Sequence, residues 1–498
     1  MEILSSLLTL ESFLVVFLGT LGGIIVGILP GLSGPTGVAL LLPFSFSLPP
    51  QYGLILLGGV YMGSSFGGSI TAILLNAPGT ESAAATSLEG YPMMKQGRAK
   101  EGIYLALASS TVGGLIGVLT LIFFTPPLAS IALKFGPPEM FLLSLTGLAI
   151  IGALSGGNVY KGIAAGAIGI LLSTVGLDVM TGTSRLTYDY FEFEAGISLV
   201  PCLVGLFAVS EMMCQTLAAN KESLSDLPQQ DITLARVFRQ IFARPLLLLK
   251  SSFLGTIIGV MPGAGSAVSC FIAYGEAFRT SRTPEKFGTG NPEGIIAAES
   301  ANNASVGGAL VPLLALGIPG STTCAILFGA LTIHGMFPGP RLFIDHGEVV
   351  YTFMYGMLFT VFCMLIIGRF GAKFFSKISL VPLKILVPVV LLLCFVGAYS
   401  IRNSGFDILL AVIFGFVGII YKFVGMPVAP TVLGLILGPI CEVGFRQSMV
   451  VATAKQTNVI EYIAIRPLTA VLSALLIFVL YTSIRAARAQ KALAQKQA

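Results

Sequence analysis

Small polar residues follow four Pro-Gly pairs in this chain, and the arrangement occurs twice. After Pro30-Gly31 come Leu32, Ser33 and Gly34, and after Pro262-Gly263 come Ala264, Gly265 and Ser266. After Pro78-Gly79 come Thr80, Glu81 and Ser82, and after Pro319-Gly320 come Ser321, Thr322 and Thr323. Proline lacks an amide donor and disrupts the turn before it. Glycine permits a left-handed or extended break. A helix restarting at Thr80 or Ser321 presents free amides and a positive dipole end. Hydroxyls beside such amides suit an anion, for example a carboxylate. Carbonyls released at the end of the preceding half-helix suit a small cation. One broken helix therefore offers partners to an anionic solute and to a coupling ion.

The segments that enter the second break of each half are polar as well. YMGSSFGGS supplies Ser64, Ser65 and Ser69, with Asn76 further on; AAESANNASVGG supplies Glu299, Ser300, Asn302, Asn303 and Ser305. Asparagine amides donate to carboxylates and accept from the shell of a cation. The expected solute ligands are Ser64, Ser65, Asn76, Thr80, Asn302, Asn303, Ser321 and Thr322. The expected cation ligands are Gly31, Ser33, Pro78, Gly79, Gly263, Ser266, Pro319 and Gly320, with Na+ as the coupling ion and H+ as the alternative. Pro30, Pro78, Pro262 and Pro319 are the expected breaks or hinges. Glu299 and Glu81 each have two readings, a functional carboxylate inside the membrane or a solvated one at its edge.

These residues need membrane helices to position them. Of the 498 residues 55% are hydrophobic and 10% charged, where a soluble domain carries about a quarter charged. Apolar runs close to the roughly 20 residues that span a bilayer recur throughout, at 12–29, 102–125, 138–155, 196–213, 347–368, 385–400, 405–421 and 465–484. The alternating segments of a β-barrel are absent from the pattern. The chain reads as an all-α polytopic membrane protein of roughly 12–15 membrane segments. The start, MEILSSLLTLESFLVV, has no basic region before its apolar run, so the first helix is expected to be retained rather than cleaved.

The two halves align. The offset is 232 at the first Pro-Gly pairs (262 minus 30) and 241 at the second (319 minus 78). It reaches 245 at Asn158 and Asn403, then falls to 229 at Pro201 and Pro430, which places a 16-residue insertion (245 minus 229) at the polar run 178–194. The expected organisation is a first repeat over 1–215, a polar cytoplasmic linker over 216–245, a second repeat over 246–464, and an extra helix with a basic tail over 465–498. Lys/Arg excess marks cytoplasmic loops. Lys95, Arg98 and Lys100 follow the second motif of half one, whereas the matching loop of half two, PGPRLFIDHGE, is acidic on balance. The loop at 371–384 carries Lys373, Lys377 and Lys384 while its counterpart holds Lys134 alone. Equivalent loops thus fall on opposite sides, the mark of inverted-topology repeats with broken or re-entrant Pro-Gly hairpins. Such repeats place solute and ion sites near the bilayer midplane and alternate access by exchanging conformations.

Other features are weaker. Gly19, Gly23, Gly27, Gly255 and Gly259 fall on helix faces at four-residue spacing, which reads first as close helix packing. The seven cysteines lack metal spacing and read as small buried hydrophobes. Gly63-Ser64-Ser65-Phe66-Gly67 matches a hydrolase nucleophile pattern, but no strand precedes it and the chain has two histidines. No Walker A motif occurs, and the net charge of +5 forms no basic block, so neither ATP binding of that kind nor nucleic-acid binding is expected. The chain is not expected to be an enzyme or to carry a bound cofactor.

GIIVGILPGLSGPTG, GGSITAILLNAPGTESAAAT, GVMPGAGSA and ALGIPGSTTCAILFGAL closely resemble the large membrane subunit of the tripartite tricarboxylate transporters, and the resemblance runs from about residue 10 to 485. It implies a multi-pass carrier in the bacterial inner membrane for carboxylates such as citrate, coupled to sodium or protons. It also implies two partners, a small four-helix membrane subunit and a periplasmic substrate-binding protein. A passive channel or facilitator for organic anions is the other class the repeat architecture admits.

Overall fold

Helices start where a side chain can cap them. Thr9 accepts from the Ser12 amide (3.2 Å) and opens α1, Leu10–Ile28. Ser33 accepts from the Thr36 amide (3.4 Å) and opens α2, Gly34–Ser45. Pro50 sits at the first position of α3, Pro50–Leu75, where a missing amide costs nothing. A 3-10 turn at Glu81–Ala83 leads into α4, Ala84–Lys95, and then α5, Ala99–Ala132. Next come α6, Pro137–Leu154, and α7, Val159–Ser173; β1, Gly176–Leu177, pairs antiparallel with β2, Ser184–Arg185. The first half closes with α8, Phe191–Glu194, α9, Leu199–Leu203, a π-helical stretch at Val204–Val209, and α10, Ser210–Leu217.

The second half opens with α11, Leu234–Phe242, bent by 85° into α12, Pro245–Val260. α13 covers Gly265–Thr280. Asn291 caps α14, Pro292–Leu316, by accepting from the Glu293 amide (3.0 Å). Ser321 caps α15, Thr322–Ile333, by accepting from the Cys324 amide (3.2 Å). Then follow α16, Leu342–Asp345, α17, Gly347–Ile378, α18, Leu383–Arg402, α19, Gly405–Val424, α20, Ala429–Ala454, and α21, Val459–Ala464.

This structure is a computed structural model, and it describes residues 7–29, 32–76, 78–154, 159–217, 232–261, 265–378, 383–474 and 476–477. Pro30, Gly31, Pro262 and Gly263, expected as breaks and cation ligands, lie outside the described residues. So do Asn158, residues 218–231 of the expected linker, and residues 475 and 478–484 of the expected last span with the tail beyond it.

Apart from the short ribbon, the described residues form helices and turns, as expected for an all-α membrane protein. Among them six helices are long and apolar enough to cross a bilayer, seven if α11 and α12 count as one bent span, and five shorter apolar helices accompany them. α2 and α15 have 12 residues each. At 1.5 Å per residue they reach about 18 Å, short of a bilayer core of about 30 Å. Each is too short to cross alone, the length that a broken or re-entrant hairpin requires.

The glycine faces serve close packing, and in the same register in both halves. A Cβ on Gly23 would lie 2.7 Å from Val60 Cα of α3, and one on Gly255 would lie 2.6 Å from Ala301 Cα of α14. Gly27 meets the Ser64 carbonyl and Gly259 the Ser305 carbonyl, each at 2.5 Å from such a Cβ. The reverse face repeats the pairing, with Gly67 against Ile24 and Gly308 against Thr256. Every one of these pairs is related by 232 on the first helix and 241 on the second, the offsets read from the motifs.

By contacts the chain divides into two units, 1–129 with 207–404, and 130–206 with 405–498. The first unit holds the α1–α3 and α12–α14 crossings and all the candidate residues. In the second, α7 packs on α20 with backbones close enough that a Cβ on Gly434 would lie 2.9 Å from Gly169 Cα. The inserted ribbon of that unit is tied to α20 by two ion pairs, Asp178 with Arg446 (2.8 Å) and Arg185 with Glu442 (2.7 Å). All seven cysteines are free thiols and five are buried.

Candidate functional site

The second break of each half is built by three residues with separate tasks. α3 ends at Leu75 because Asn76 turns left-handed (φ 52°), and α14 ends at Leu316 because Gly317 does the same (φ 73°). The two are counterparts (317 minus 76 is 241). Asparagine is the residue other than glycine that most readily takes this conformation. Pro78 is exposed and Pro319 buried. Gly79 then drops onto the α1–α3 crossing, where its amide donates to the Gly68 carbonyl (3.2 Å) and any Cβ would enter the Gly27 carbonyl. Gly320 does likewise, since its Cβ would lie 2.8 Å from the Gly259 carbonyl oxygen and 2.7 Å from Ala309 Cα. Neither glycine has a positive φ; each is required by space.

Beyond Gly320 two helix N-termini meet. A Cβ on Gly34, the first residue of α2, would lie 2.9 Å from Ser64 Oγ of α3 and 3.7 Å from Thr323 Oγ1 of α15. Tyr61 and Ser321 share a hydrogen bond of 2.9 Å between their hydroxyls. Ser33 and Ser321 cap these two helices, and Ser33 Oγ also lies 2.9 Å from Thr36 Oγ1. The first amides of a helix have no acceptor within it, so this place gathers donors, hydroxyls and two positive dipole ends. Among the expected residues the structure brings Ser64 and Ser321 together here and sets Ser33 and Thr322 alongside. It adds Tyr61 and Thr323, which the sequence reading passed over. One signal was available for Tyr61, because it stands opposite Asn302 in the repeat (302 minus 61 is 241).

Thr80 lies in the other break, buried against Gly68, with its hydroxyl 3.1 Å from that of Ser82. Ser266 lies in the first turn of α13, where its carbonyl accepts from Ser269 Oγ (2.7 Å). Asn76 is exposed at the end of α3.

A second polar cluster sits on α14. Glu299, Ser300, Asn302 and Asn303 have no exposed surface, and Ser305 keeps 2%. Asn302 Nδ2 donates to the Ser65 carbonyl (3.0 Å), and Asn303 Nδ2 to the Met62 carbonyl (3.3 Å). Both Oδ1 atoms are buried without a hydrogen-bond partner among the described residues. Turning either amide over would set two acceptors face to face, so the oxygens are what these side chains have left to offer. Glu299 accepts from Ser69 Oγ (2.6 Å), from Thr86 Oγ1 and from Ser110 Oγ (2.8 Å).

One carboxylate was not anticipated. Glu89 of α4 is fully buried and receives four donors, Gly288 N (2.5 Å) and Tyr274 OH (2.8 Å) on Oε1, Gly290 N (2.8 Å) and Asn291 N (2.7 Å) on Oε2. It fixes the turn from which α14 starts. The hydrolase-like pentapeptide lies inside α3. Of the two histidines, His334 packs on Gly53, 11 residues and so roughly 16 Å along the helix from Ser64. No nucleophile–base pair forms there.

A helix break repeated in both halves, apolar spans and buried polar residues are the marks of a multi-pass membrane transport protein. A family model described as the tripartite tricarboxylate transporter TctA family matches residues 13–433, and the chain belongs to that family, the large subunit of a tripartite transporter. An Agrobacterium vitis protein described as "Uncharacterized 52.8 kDa protein in TAR-I ttuC' 3'region" is 34% identical over 481 residues, 95% of this chain and 94% of its own length. A second Agrobacterium vitis protein, described as "Uncharacterized protein in TAR-II ttuC' 3'region", is 31% identical over 203 residues, 41% of this chain and 84% of its own. No solved structure matches.

Proposed function

We propose that this chain imports a carboxylate, a tricarboxylate or related organic acid, across the bacterial inner membrane by cation symport with alternating access. It receives the solute from a periplasmic binding protein and works beside a small four-helix membrane subunit. The observation that carries this reading is the meeting of the α2 and α15 N-termini at Tyr61, Ser64, Ser321 and Thr323. Donors and positive dipole ends converge there and none of these four side chains is cationic, which suits a carboxylate that must also be released. Ser65, Asn302 and Asn303 hold α3 against α14 beside it. The carbonyls at Pro78, Gly79, Pro319 and Gly320, with Ser33 and Ser266, are the proposed Na+ ligands, with H+ as the alternative coupling ion. Ser64, Asn302 and Asn303 are fully buried and Ser65 keeps 5% of its surface. Ser33, Ser321 and Thr322 are half-buried, so the site is enclosed on its α3 and α14 side, which supports a carrier over an open channel.

The test is uptake by the complete complex in proteoliposomes, with labelled mono-, di- and tricarboxylates and an inward Na+ gradient. Accumulation above the external concentration is expected. Ser64→Ala and Ser321→Ala should each raise KM about five- to tenfold, the loss of one hydrogen bond of about 1 kcal/mol or slightly more. Equilibration without accumulation under every cation gradient would make the protein a passive facilitator. Wild-type KM in both variants would remove the site assignment.

A further inference from the structure

We propose that Glu299, with Ser69, Thr86 and Ser110, forms a proton-binding site whose occupancy changes during the transport cycle. The four side chains come from α14, α3, α4 and α5, so both halves of the chain contribute. Glu299 has no exposed surface. Among the described residues no Lys, Arg or His forms an ion pair with it. An ionised carboxylate so placed costs several kcal/mol unless something neutralises it.

The donors are of an unusual kind. Glu89 is held mainly by backbone amides, which can only donate. Glu299 is held by three hydroxyls, which both donate and accept. Ser69 has a second acceptor within reach, the Ser65 carbonyl at 3.4 Å. With the carboxylate ionised, Ser69 donates to Oε1. With a proton on Oε1, Ser69 turns its hydrogen to the Ser65 carbonyl and accepts from the new O–H. Both protonation states are thus satisfied without moving a helix. Asn302, one turn on, keeps a buried oxygen that lacks a donor. An added proton supplies one more donor to the cluster.

The fold does not need this cluster. The repeat offset of 241 places Gly58, Leu310 and Leu327 opposite Glu299, Ser69 and Thr86. Leu310 and Leu327 line a small apolar cavity with Leu54, Leu313, Leu331 and Phe353. The same place in the other half is therefore lined by hydrocarbon alone. Glu81, on the 3-10 turn that packs against α14, is exposed, and four titratable groups on the helices packed there are engaged elsewhere. Tyr61 is bonded to Ser321, Glu89 to its four donors, Glu101 to Arg98 (2.8 Å) and Lys250 to Glu276. The Cys270 thiol of α13, which adjoins Glu299, brings no positive charge.

The proposal rests on the chain being a secondary transporter, and the test separates the two. Wild type and Glu299→Gln are reconstituted as the complete complex and assayed for uptake and for counterflow of labelled solute. Glutamine imitates the protonated side chain. Counterflow should survive, while the accumulation that an inward pH gradient adds to Na+-driven uptake in the wild type is lost. The wild-type minus Glu299→Gln infrared spectrum at neutral pH should contain the carbonyl band of a protonated acid. Ser110→Ala removes one donor to the anion and should move the pH midpoint of uptake upward, a readout that stands if Glu299→Gln does not fold. Wild-type accumulation in Glu299→Gln, loss of Na+ dependence in place of pH dependence, or an unmoved midpoint in Ser110→Ala would each overturn the assignment. Absence of accumulation by the wild type would instead overturn the transporter reading.

Discussion

Replacing Glu89 with glutamine should release the turn that starts α14. The carboxylate is fully buried and each oxygen takes two donors, three of the four being backbone amides of Gly288, Gly290 and Asn291. Glutamine leaves a single acceptor oxygen. The least costly placement keeps that oxygen on Gly290 and Asn291 and sets the amide nitrogen toward Gly288 and Tyr274. The tyrosine hydroxyl can turn to accept; the Gly288 amide cannot. One hydrogen bond to a charged group is lost outright, and the other three lose the charge. At about 1.5–3 kcal/mol for each charge-assisted bond, the net cost is about 2–4 kcal/mol. The open form of the turn should then be populated roughly 30- to 1,000-fold more, at tenfold per 1.4 kcal/mol. Hydrogen exchange of the 287–292 segment, read by mass spectrometry in detergent or nanodiscs, should accelerate to match. Tyr274→Phe removes one hydroxyl and should show a much smaller change. Exchange in Glu89→Gln within a factor of about three of wild type would refute the four-donor accounting, since even one bond of about 1 kcal/mol exceeds that.

Two other outcomes follow from close approach and from charge. Gly79→Ala and Gly320→Ala force a methyl into the Gly27 and Gly259 carbonyls; each should cost about 1–3 kcal/mol or more and lower both the melting midpoint and uptake, and wild-type melting would show that the breaks are looser than described. Asp178 is held below the usual carboxylate range first by the Met180 amide and then by Arg446. Its contribution is therefore present above the ordinary carboxylate pKa and is lost as pH falls toward the lower folded value. The gap in stability between wild type and Asp178→Asn should be open at about pH 7 and narrow below about pH 4; an equal gap at both would mean the ribbon does not depend on that charge.

Much of the frame was legible in the sequence because helix crossings leave marks. Gly23, Gly27, Gly255 and Gly259 are spaced by the helix period, and the motif offsets of 232 and 241 recur in the contacts between α1 and α3 and between α12 and α14. The breaks at Pro78-Gly79 and Pro319-Gly320 were also visible. What each residue does in them was not. The reversal of the chain falls on Asn76 and Gly317, and a left-handed asparagine looks in a sequence like any polar ligand. Glu89 could not be singled out, since its partners lie about 200 residues away in a loop whose shape is set only by folding. The two contact units, each drawn from both halves, were likewise hidden, because periodicity reports a helix and not its neighbour.

Duplication lets conserved geometry be separated from acquired chemistry within one chain. Positions that agree between the halves are those that bring backbones together or break helices: Gly23 with Gly255, Gly27 with Gly259, Asn76 with Gly317, Gly79 with Gly320, Thr80 with Ser321. Each answers a steric or capping demand that the fold makes twice. Positions that disagree escape that explanation. Tyr61 answers Asn302, Met62 answers Asn303, and Gly58 answers Glu299, although all six lie on the same stretch of equivalent helices. A demand of the fold would have acted on both copies, so the burial of an acid and two amides in one copy has to be offset by something the other copy does not do. Burying a carboxylate and two amide oxygens without partners costs several kcal/mol, and helix packing alone, met in the first half by Gly58, Tyr61 and Met62, gives no return for it. The ion-coupled cycle proposed above does, because it needs a site that holds an ion in one state and releases it in another.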